Sequence, residues 1–278
     1  MVANKRLNEM VIKKSYIVMK PTALITGASR GVGLQIAVIM AAKNMNLVLV
    51  ARSEDALNSI KTMLENQYGV DVHIIVKDLT EKNATYDIFK QVEDKNIEID
   101  YLINNAGFGE YGYFESGDWG RFRQMIELNI MALTHLCHLF LPQMLKRNRG
   151  RILNVASTAA FQPGPMMAVY FASKAYVLHF SEAIRNEVKN RGVSVTALCP
   201  GPTRTDFMED SNFKISKMVN GKPLSDAHQV AVAGYHAMMR GKPFVIHGWR
   251  NKIIAESVRF VPRSWATYIT RKLMERSQ

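Results

Sequence analysis

From residue 22 to residue 246, short apolar runs alternate with longer stretches of helical period. Thr22–Thr26, Asn46–Ala51, Val72–Val76, Tyr101–Ile103, Arg151–Ala156 and Pro243–Ile246 are short and aliphatic, which predicts strands. Between them lie segments whose apolar positions recur at helical spacing. These are Leu34–Ala42, 55–66, 118–145, a helix containing Met167–Leu178, and Ala227–Arg240. Regular alternation of strand and helix predicts an α/β fold with a parallel sheet covered on both faces. Ligands of such sheets bind beyond the carboxyl ends of the strands, so the residues at those ends are the candidates for chemistry.

Length and composition narrow this picture. The chain has 278 residues, 47% of them hydrophobic, which suits one large domain with a sizeable core or two small ones. Its net charge of +12 is concentrated at the ends. Residues 1–20 hold five Lys/Arg against one Glu, and residues 250–278 hold seven against two. A nucleic-acid groove would run through the folded body, so that partner is not expected. Charged ends suggest solvated tails first and contact with an anionic membrane surface second. Cys137 and Cys199 sit in apolar surroundings and read as core residues of a protein in a reducing compartment, with no metal framework. No stretch is expected to reach membrane-span length without charge, and the basic leader lacks a secretory pattern, so the cytoplasm is the expected location.

Strand-end residues carry the candidate chemistry. The first strand runs into Gly27-Ala28-Ser29-Arg30-Gly31-Val32-Gly33 and then a helix. Such glycines permit a tight turn and close backbone approach, and a helix N-terminus offers N–H groups to a pyrophosphate. The second strand ends in Arg52 with no acid. An acid there would hold a ribose 2′-OH, whereas Arg accommodates a 2′-phosphate, so NADP(H) is favoured over NAD(H). Arg30 and Arg52 form a candidate guanidinium clamp, or else are two exposed arginines. Asp78 follows the third strand and reads either as an adenine contact or as the N-cap of a helix from Glu81. Asn104-Asn105-Ala106-Gly107 ends the fourth strand, where its amides can tie strand to loop. Asn129 interrupts the helix 118–145, an unfavourable position unless its amide has a task. Ser157-Thr158 ends the fifth strand.

Tyr170 and Lys174 are four apart on a helix and therefore share a face. An ammonium beside a phenol favours the phenolate and lowers its pKa, which makes a usable acid/base. Taken alone, the pair also fits a surface tyrosine beside a solvated lysine.

Thr26-Gly27-x-x-x-Gly31-x-Gly33, Asn104-Asn105-Ala106-Gly107, Asn129, Ser157, Tyr170-x-x-x-Lys174 and Pro200-Gly201 occur in that order. This set resembles the short-chain dehydrogenase/reductase family, in its single-domain branch, from about residue 21 to 205 and less distinctly to 247. The wording around Ser157 and Cys199-Pro200-Gly201 is similar to bacterial DltE-like reductases. The resemblance implies a Rossmann-type doubly wound sheet of about seven strands with helices on both faces. It implies that Tyr170 is the acid/base, that Lys174 lowers its pKa and holds the nicotinamide ribose, and that Ser157 binds the substrate oxygen. Asn129 would support a proton-relay water. Gly27, Ser29, Arg30, Gly31, Val32, Gly33, Arg52, Asp78, Leu79, Asn105, Ala106 and Gly107 would bind the dinucleotide with Tyr170 and Lys174. Pro200 and Gly201 would end a sixth strand beside the nicotinamide, and Thr203 would bind its carboxamide; Arg204 and Thr205 depart from the commoner form of that loop. By the same analogy the protein would be a homodimer or homotetramer acting on a small-molecule carbonyl or alcohol.

The expected organisation is a basic extension (1–20), a reductase domain (21–249) and a basic amphipathic tail (250–278) suited to a membrane surface, the body or another subunit. Within the domain, the segment 206–226 would close over the substrate. Phe207, Met208, Phe213 and Met218 would give it an apolar underside. Phe108, Tyr111, Tyr113, Phe161 and Met166 are candidate pocket walls, which together suggest an apolar ketone or aldehyde.

Overall fold

The computed structural model describes residues 20–207, 211 and 224–275. Met208, Phe213 and Met218, with the extension 1–19, lie outside the described residues. Seven strands form one parallel sheet in the order β3-β2-β1-β4-β5-β6-β7. They are β1 (Thr22–Thr26), β2 (Asn46–Ala51), β3 (Val72–Val76), β4 (Ile99–Asn104), β5 (Gly150–Val155), β6 (Val193–Cys199) and β7 (Phe244–Ile246). From β1 the chain winds outward to β3, then returns to place β4 on the other side of β1. That reversal opens a crevice between β1 and β4 at their carboxyl ends.

The helices are α1 (Gly31–Ala42), α2 (Glu54–Tyr68), α3 (Ala84–Asp94), α4 (Trp119–Lys146), α5 (Ala168–Glu187), α6 (Ala227–Met239), α7 (Trp249–Ser257) and α8 (Arg263–Met274). Alternate residues of each strand feed two separate cores. Ala23, Ile25, Leu47 and Leu49 pack with Ile36, Met40, Leu57 and Val230 of α1, α2 and α6. Leu24, Val48 and Val50 face the other way, onto Ile88, Phe140 and Val177 of α3, α4 and α5. Each fully buried aliphatic side chain contributes about 1.5–3 kcal/mol relative to exposure, which holds both helical layers to the sheet.

One expectation needs correction. Helix α4 has the length and mean hydropathy, 1.3, of a membrane span, because residues 128–145 carry no charged side chain. Its inner face, including Leu133, Leu136, Phe140 and Met144, is buried against the sheet, so it serves as a core helix. Helix α7 starts at Trp249, and α7 and α8 pack onto the body, one of the placements expected for the 250–278 tail. Ala255, Ala266, Thr270 and Met274 are their buried residues. The Tyr111 hydroxyl donates to the Met274 carbonyl and so pins the end of α8.

Candidate active site

Backbone makes the surface of the crevice beside β1. Gly27 and Gly31 have φ of +65° and +56°, the left-handed region that glycine enters without strain. Gly33 is there for packing: a Cβ on it would lie 2.3 Å from the Gly27 carbonyl oxygen and 2.4 Å from Asn105 Nδ2. Asn105 Nδ2 donates to the Thr26 and Gly27 carbonyls at 3.0 and 3.1 Å. The Asn105 and Ala106 amides both donate to Thr26 Oγ1 at 3.1 Å. These bonds clamp the ends of β1 and β4 together.

The N-terminus of α1 differs from those of α2 and α6. Ser53 caps α2, whose first turn carries Glu54 and Asp55, and Asp226 caps α6. Helix α1 has neither a side-chain cap nor an acid in its first turn. Its N–H groups and positive dipole end are therefore presented to the crevice, as an anionic pyrophosphate requires.

At the end of β2, Arg52 is largely exposed and its Nη1 lies 3.8 Å from Asp78 Oδ2. Asp78 does not cap a helix at Glu81. Its Oδ1 accepts from the Thr80 amide and hydroxyl at 2.9 and 2.8 Å, and α3 starts later, at Ala84. Arg30 Nη1 donates to Asp206 Oδ2 at 3.2 Å. The two arginines thus flank one end of the crevice, each beside a carboxylate.

At the other end, β5 and α5 bring Ser157, Tyr170 and Lys174 to one cavity. Ser157 Oγ accepts from the Ala159 amide at 3.1 Å and is also hydrogen-bonded to the Tyr170 phenol. Lys174 Nζ donates to the Val155 carbonyl at 2.9 Å and lies 5.8 Å from the Tyr170 ring centre. Burial dominates the electrostatics. It pushes the Tyr170 phenol up to about 12, against the opposing Ser157 bond. It also pulls the Lys174 ammonium down to about 8. The net shift of the Tyr170 phenol is thus upward, opposite in direction to what an ammonium one turn away would produce. That direction favours the protonated phenol at neutral pH.

Asn129 sits in a π-helical turn, Glu127–Ala132, within α4. Such a turn displaces the helical ladder locally, commonly at functional sites. Asn129 Oδ1 accepts from the Phe108 amide at 3.2 Å, and its Nδ2 donates to the Phe108 carbonyl and Ser173 Oγ, both at 3.0 Å. Its side chain holds the loop after Gly107, where a Cβ would come within 3.3 Å of Lys174 Nζ. Thr203 Oγ1 donates to the Gly201 carbonyl at 2.8 Å.

A cavity of about 750 Å³ joins these parts. Every candidate site residue lines it except Gly33 and Asn129, which support the wall from behind. Of the expected apolar walls, Phe108 lines it, while Tyr111, Tyr113, Phe161 and Met166 do not; Phe207, expected on the underside of the 206–226 segment, lines it too. Arg121, Gln124, Leu128, Gln162, Met167 and Phe171 also line it and escaped the sequence reading. The first three are spaced by three and four along α4, a usable signal once the rotation of that helix is known. Arg121 lies over the Phe108 ring, 4.4 Å from its centre, and pairs with Glu110 at 3.4 Å.

A parallel sheet with a glycine turn at its reversal point, facing a Ser–Tyr–Lys cluster across one cavity, defines a dinucleotide-dependent oxidoreductase. The comparisons agree. The model of the family described as "short chain dehydrogenase" matches residues 21–215. A very-long-chain 3-oxoacyl-CoA reductase of Anas platyrhynchos is 32% identical over 244 residues, covering 84% of this chain and 76% of that protein. The human "inactive hydroxysteroid dehydrogenase-like protein 1" is 32% identical over 217 residues, covering 76% of this chain and 65% of that protein. A short-chain dehydrogenase from Sphingobium yanoikuyae, solved in complex with NADPH, superposes with a TM-score of 0.79 at 29% identity over 86% of this chain and 92% of that one. The chain belongs to the short-chain dehydrogenase family and is an oxidoreductase.

Proposed function

We propose that this protein is an NADP(H)-dependent reductase that interconverts an apolar ketone or aldehyde and the corresponding alcohol. The observation that carries the reading is the cavity shared by the uncapped N-terminus of α1 and by Ser157, Tyr170 and Lys174. The left-handed glycines, the bare helix N-terminus and Arg30 and Arg52 fit a phosphorylated dinucleotide. When bound, NADPH supplies the hydride that reduces the carbonyl carbon. Ser157 Oγ donates a hydrogen bond to the carbonyl oxygen. The Tyr170 phenol, still protonated because burial raises its pKa, gives its proton to the oxygen as charge develops there. Lys174 stabilises the resulting phenolate and holds the ribose hydroxyls. Asn129 orders the Gly107–Phe108 wall behind Lys174 and supports a relay water. Gly201 and Thr203 seat the nicotinamide. Phe108, Leu128, Met167, Phe171 and Phe207 give the substrate end its apolar character. A homodimer or homotetramer in the cytoplasm completes the reading, with both cysteines free and buried.

NADPH oxidation followed against a panel of ketones and aldehydes tests this. Turnover of apolar members with NADPH preferred over NADH is the expected result. A second reading, a cofactor-binding protein without turnover, draws on the human relative whose name includes "inactive". Tight NADPH binding with no turnover across the panel would favour it. A third, a membrane-associated lipid or steroid reductase, draws on the name of the Anas relative and predicts turnover confined to long-chain or steroid ketones.

A further inference from the structure

Helices α7 and α8 are amphipathic in the reverse sense from the rest of the fold. Toward the body they present small or single buried residues: Ala255, Ala266, Thr270 and Met274. Toward solvent they present their largest apolar side chains. Trp249, Ile253, Ile254, Trp265 and Tyr268 are each more than half exposed, and Phe260 between the helices is 86% exposed. On α8 the exposed Trp265, Tyr268, Ile269 and Leu273 follow helical spacing and form one stripe beside the buried one. Nine of the exposed large hydrophobic residues of the described chain fall between 249 and 273. A soluble protein rarely leaves such a set together without a use for it.

The surrounding charge identifies the occupant. Residues 250–278 contain seven Lys/Arg and two Glu. The two acids pair internally, Glu256 with Arg259 at 3.3 Å and Glu275 with Lys272 at 3.4 Å. Arg250, Lys252, Arg263 and Arg271 are exposed and make no ion pair among the described residues. A second copy of this face would bring a surplus of positive charge against the same surplus. An anionic bilayer surface supplies the opposite charge together with an apolar layer for the aromatic and aliphatic side chains, the combination that interfacial helices use. Tryptophan and tyrosine favour that boundary, where the ring is apolar and the polar edge stays wet.

The face is rigidly joined to the cavity. Asn251 of α7 fills the space against Gly201, where a Cβ would lie 2.3 Å from Asn251 Nδ2. Met274 of α8 packs with Met167, Phe171 and Tyr170, three residues of the cavity wall.

We propose that residues 249–274 seat the protein on an anionic lipid surface, with α7 and α8 lying in the bilayer interface. This proposal does not depend on the reading of the reaction. The test is sedimentation of the full-length protein with phosphatidylcholine vesicles, with and without phosphatidylglycerol, at low and high salt. The wild type is expected to bind the anionic vesicles at least tenfold better than the neutral ones, with binding reduced by salt. The triple variant I254E/W265E/I269E is expected to lose that binding while keeping wild-type NADPH affinity and thermal midpoint. An outcome in which the wild type ignores anionic vesicles, or the folded variant binds them equally, overturns the proposal. Light scattering covers the rival occupant: a wild-type dimer that the variant converts to monomer, without vesicle binding, would make this face a contact between copies of the chain.

Discussion

At the glycine-loop end of the cavity the wall is backbone, fixed by hydrogen bonds between the ends of β1 and β4. At the substrate end it is side chain, gathered from α4, the 158–167 region, α5 and the start of the 206–226 segment. The first end tolerates almost no added atom. The second is bounded by partly or fully exposed side chains such as Arg121, Gln124 and Phe207. A dinucleotide makes constant demands, which a rigid backbone cradle can meet, whereas a substrate pocket built of side chains can be altered without disturbing the cradle.

That contrast is breakable. The largest effect on cofactor binding is expected from Gly33→Ala, because its Cβ would overlap the Gly27 carbonyl and the Asn105 amide. Overpacking of this kind costs about 1–3 kcal/mol in stability, and the displaced loop should weaken NADPH binding roughly a hundredfold. Gly112, with nothing within 4 Å of a Cβ, is the control, and Gly112→Ala should bind NADPH normally in a fluorescence titration. Equal behaviour of the two variants would remove the rigid cradle from the account.

Lys174 stands where the two ends meet. Its folded pKa of about 8 lies below the ordinary 10.5, so between those values the unfolded chain binds the extra proton. Stability must therefore rise with pH across that window, and the burial penalty is fully present below pH 8. At about 1.4 kcal/mol per pH unit, the gain is roughly 3 kcal/mol at most. Urea unfolding of wild type and Lys174→Met at pH 7 and pH 10 isolates it, since Tyr170 is common to both. A wild type that gains nothing relative to the variant would contradict burial as the dominant influence.

Arg52→Asp addresses cofactor choice. Loss of one charge-assisted contact, worth about 1.5–3 kcal/mol, should cut NADPH affinity by roughly 10- to 100-fold and leave NADH affinity intact or improved. An unchanged NADPH/NADH ratio would take Arg52 out of the phosphate site. The smallest effect is expected from Arg121→Leu. Its stacking on Phe108 is worth about 0.5–1 kcal/mol, so KM for a carbonyl substrate should move about two- to fivefold, with NADPH binding unaltered. A change in NADPH affinity instead would place Arg121 in the wrong half.

The same division explains what the sequence revealed. β1 and β2 were legible to the residue because strands buried on both faces are continuous apolar runs, and the half-exposed edge strand β3 was legible as a short β-branched run. The glycine loop and Asn105 were legible because backbone constraints leave few residue types to choose from. Arg121, Gln124 and Gln162 were not, since their relevance depends on helix rotation and on loop paths between distant elements. The upward direction of the Tyr170 shift was not legible for a related reason. Spacing places Lys174 one turn away, but desolvation comes from the elements packed around both residues. The tail was legible as basic and amphipathic, whereas the outward direction of its apolar stripe needed the packing of Ala266 and Met274.

On the proposed reading, Tyr170 is the proton donor of a carbonyl reductase whose cofactor cradle is independent of it. Tyr170→Phe removes only the hydroxyl. NADPH titration and single-turnover NADPH oxidation with a saturating ketone, on wild type and variant side by side, test it directly. The account predicts unchanged NADPH affinity within about twofold and a rate lowered by roughly 10² to 10⁴. Turnover at the wild-type rate would contradict it.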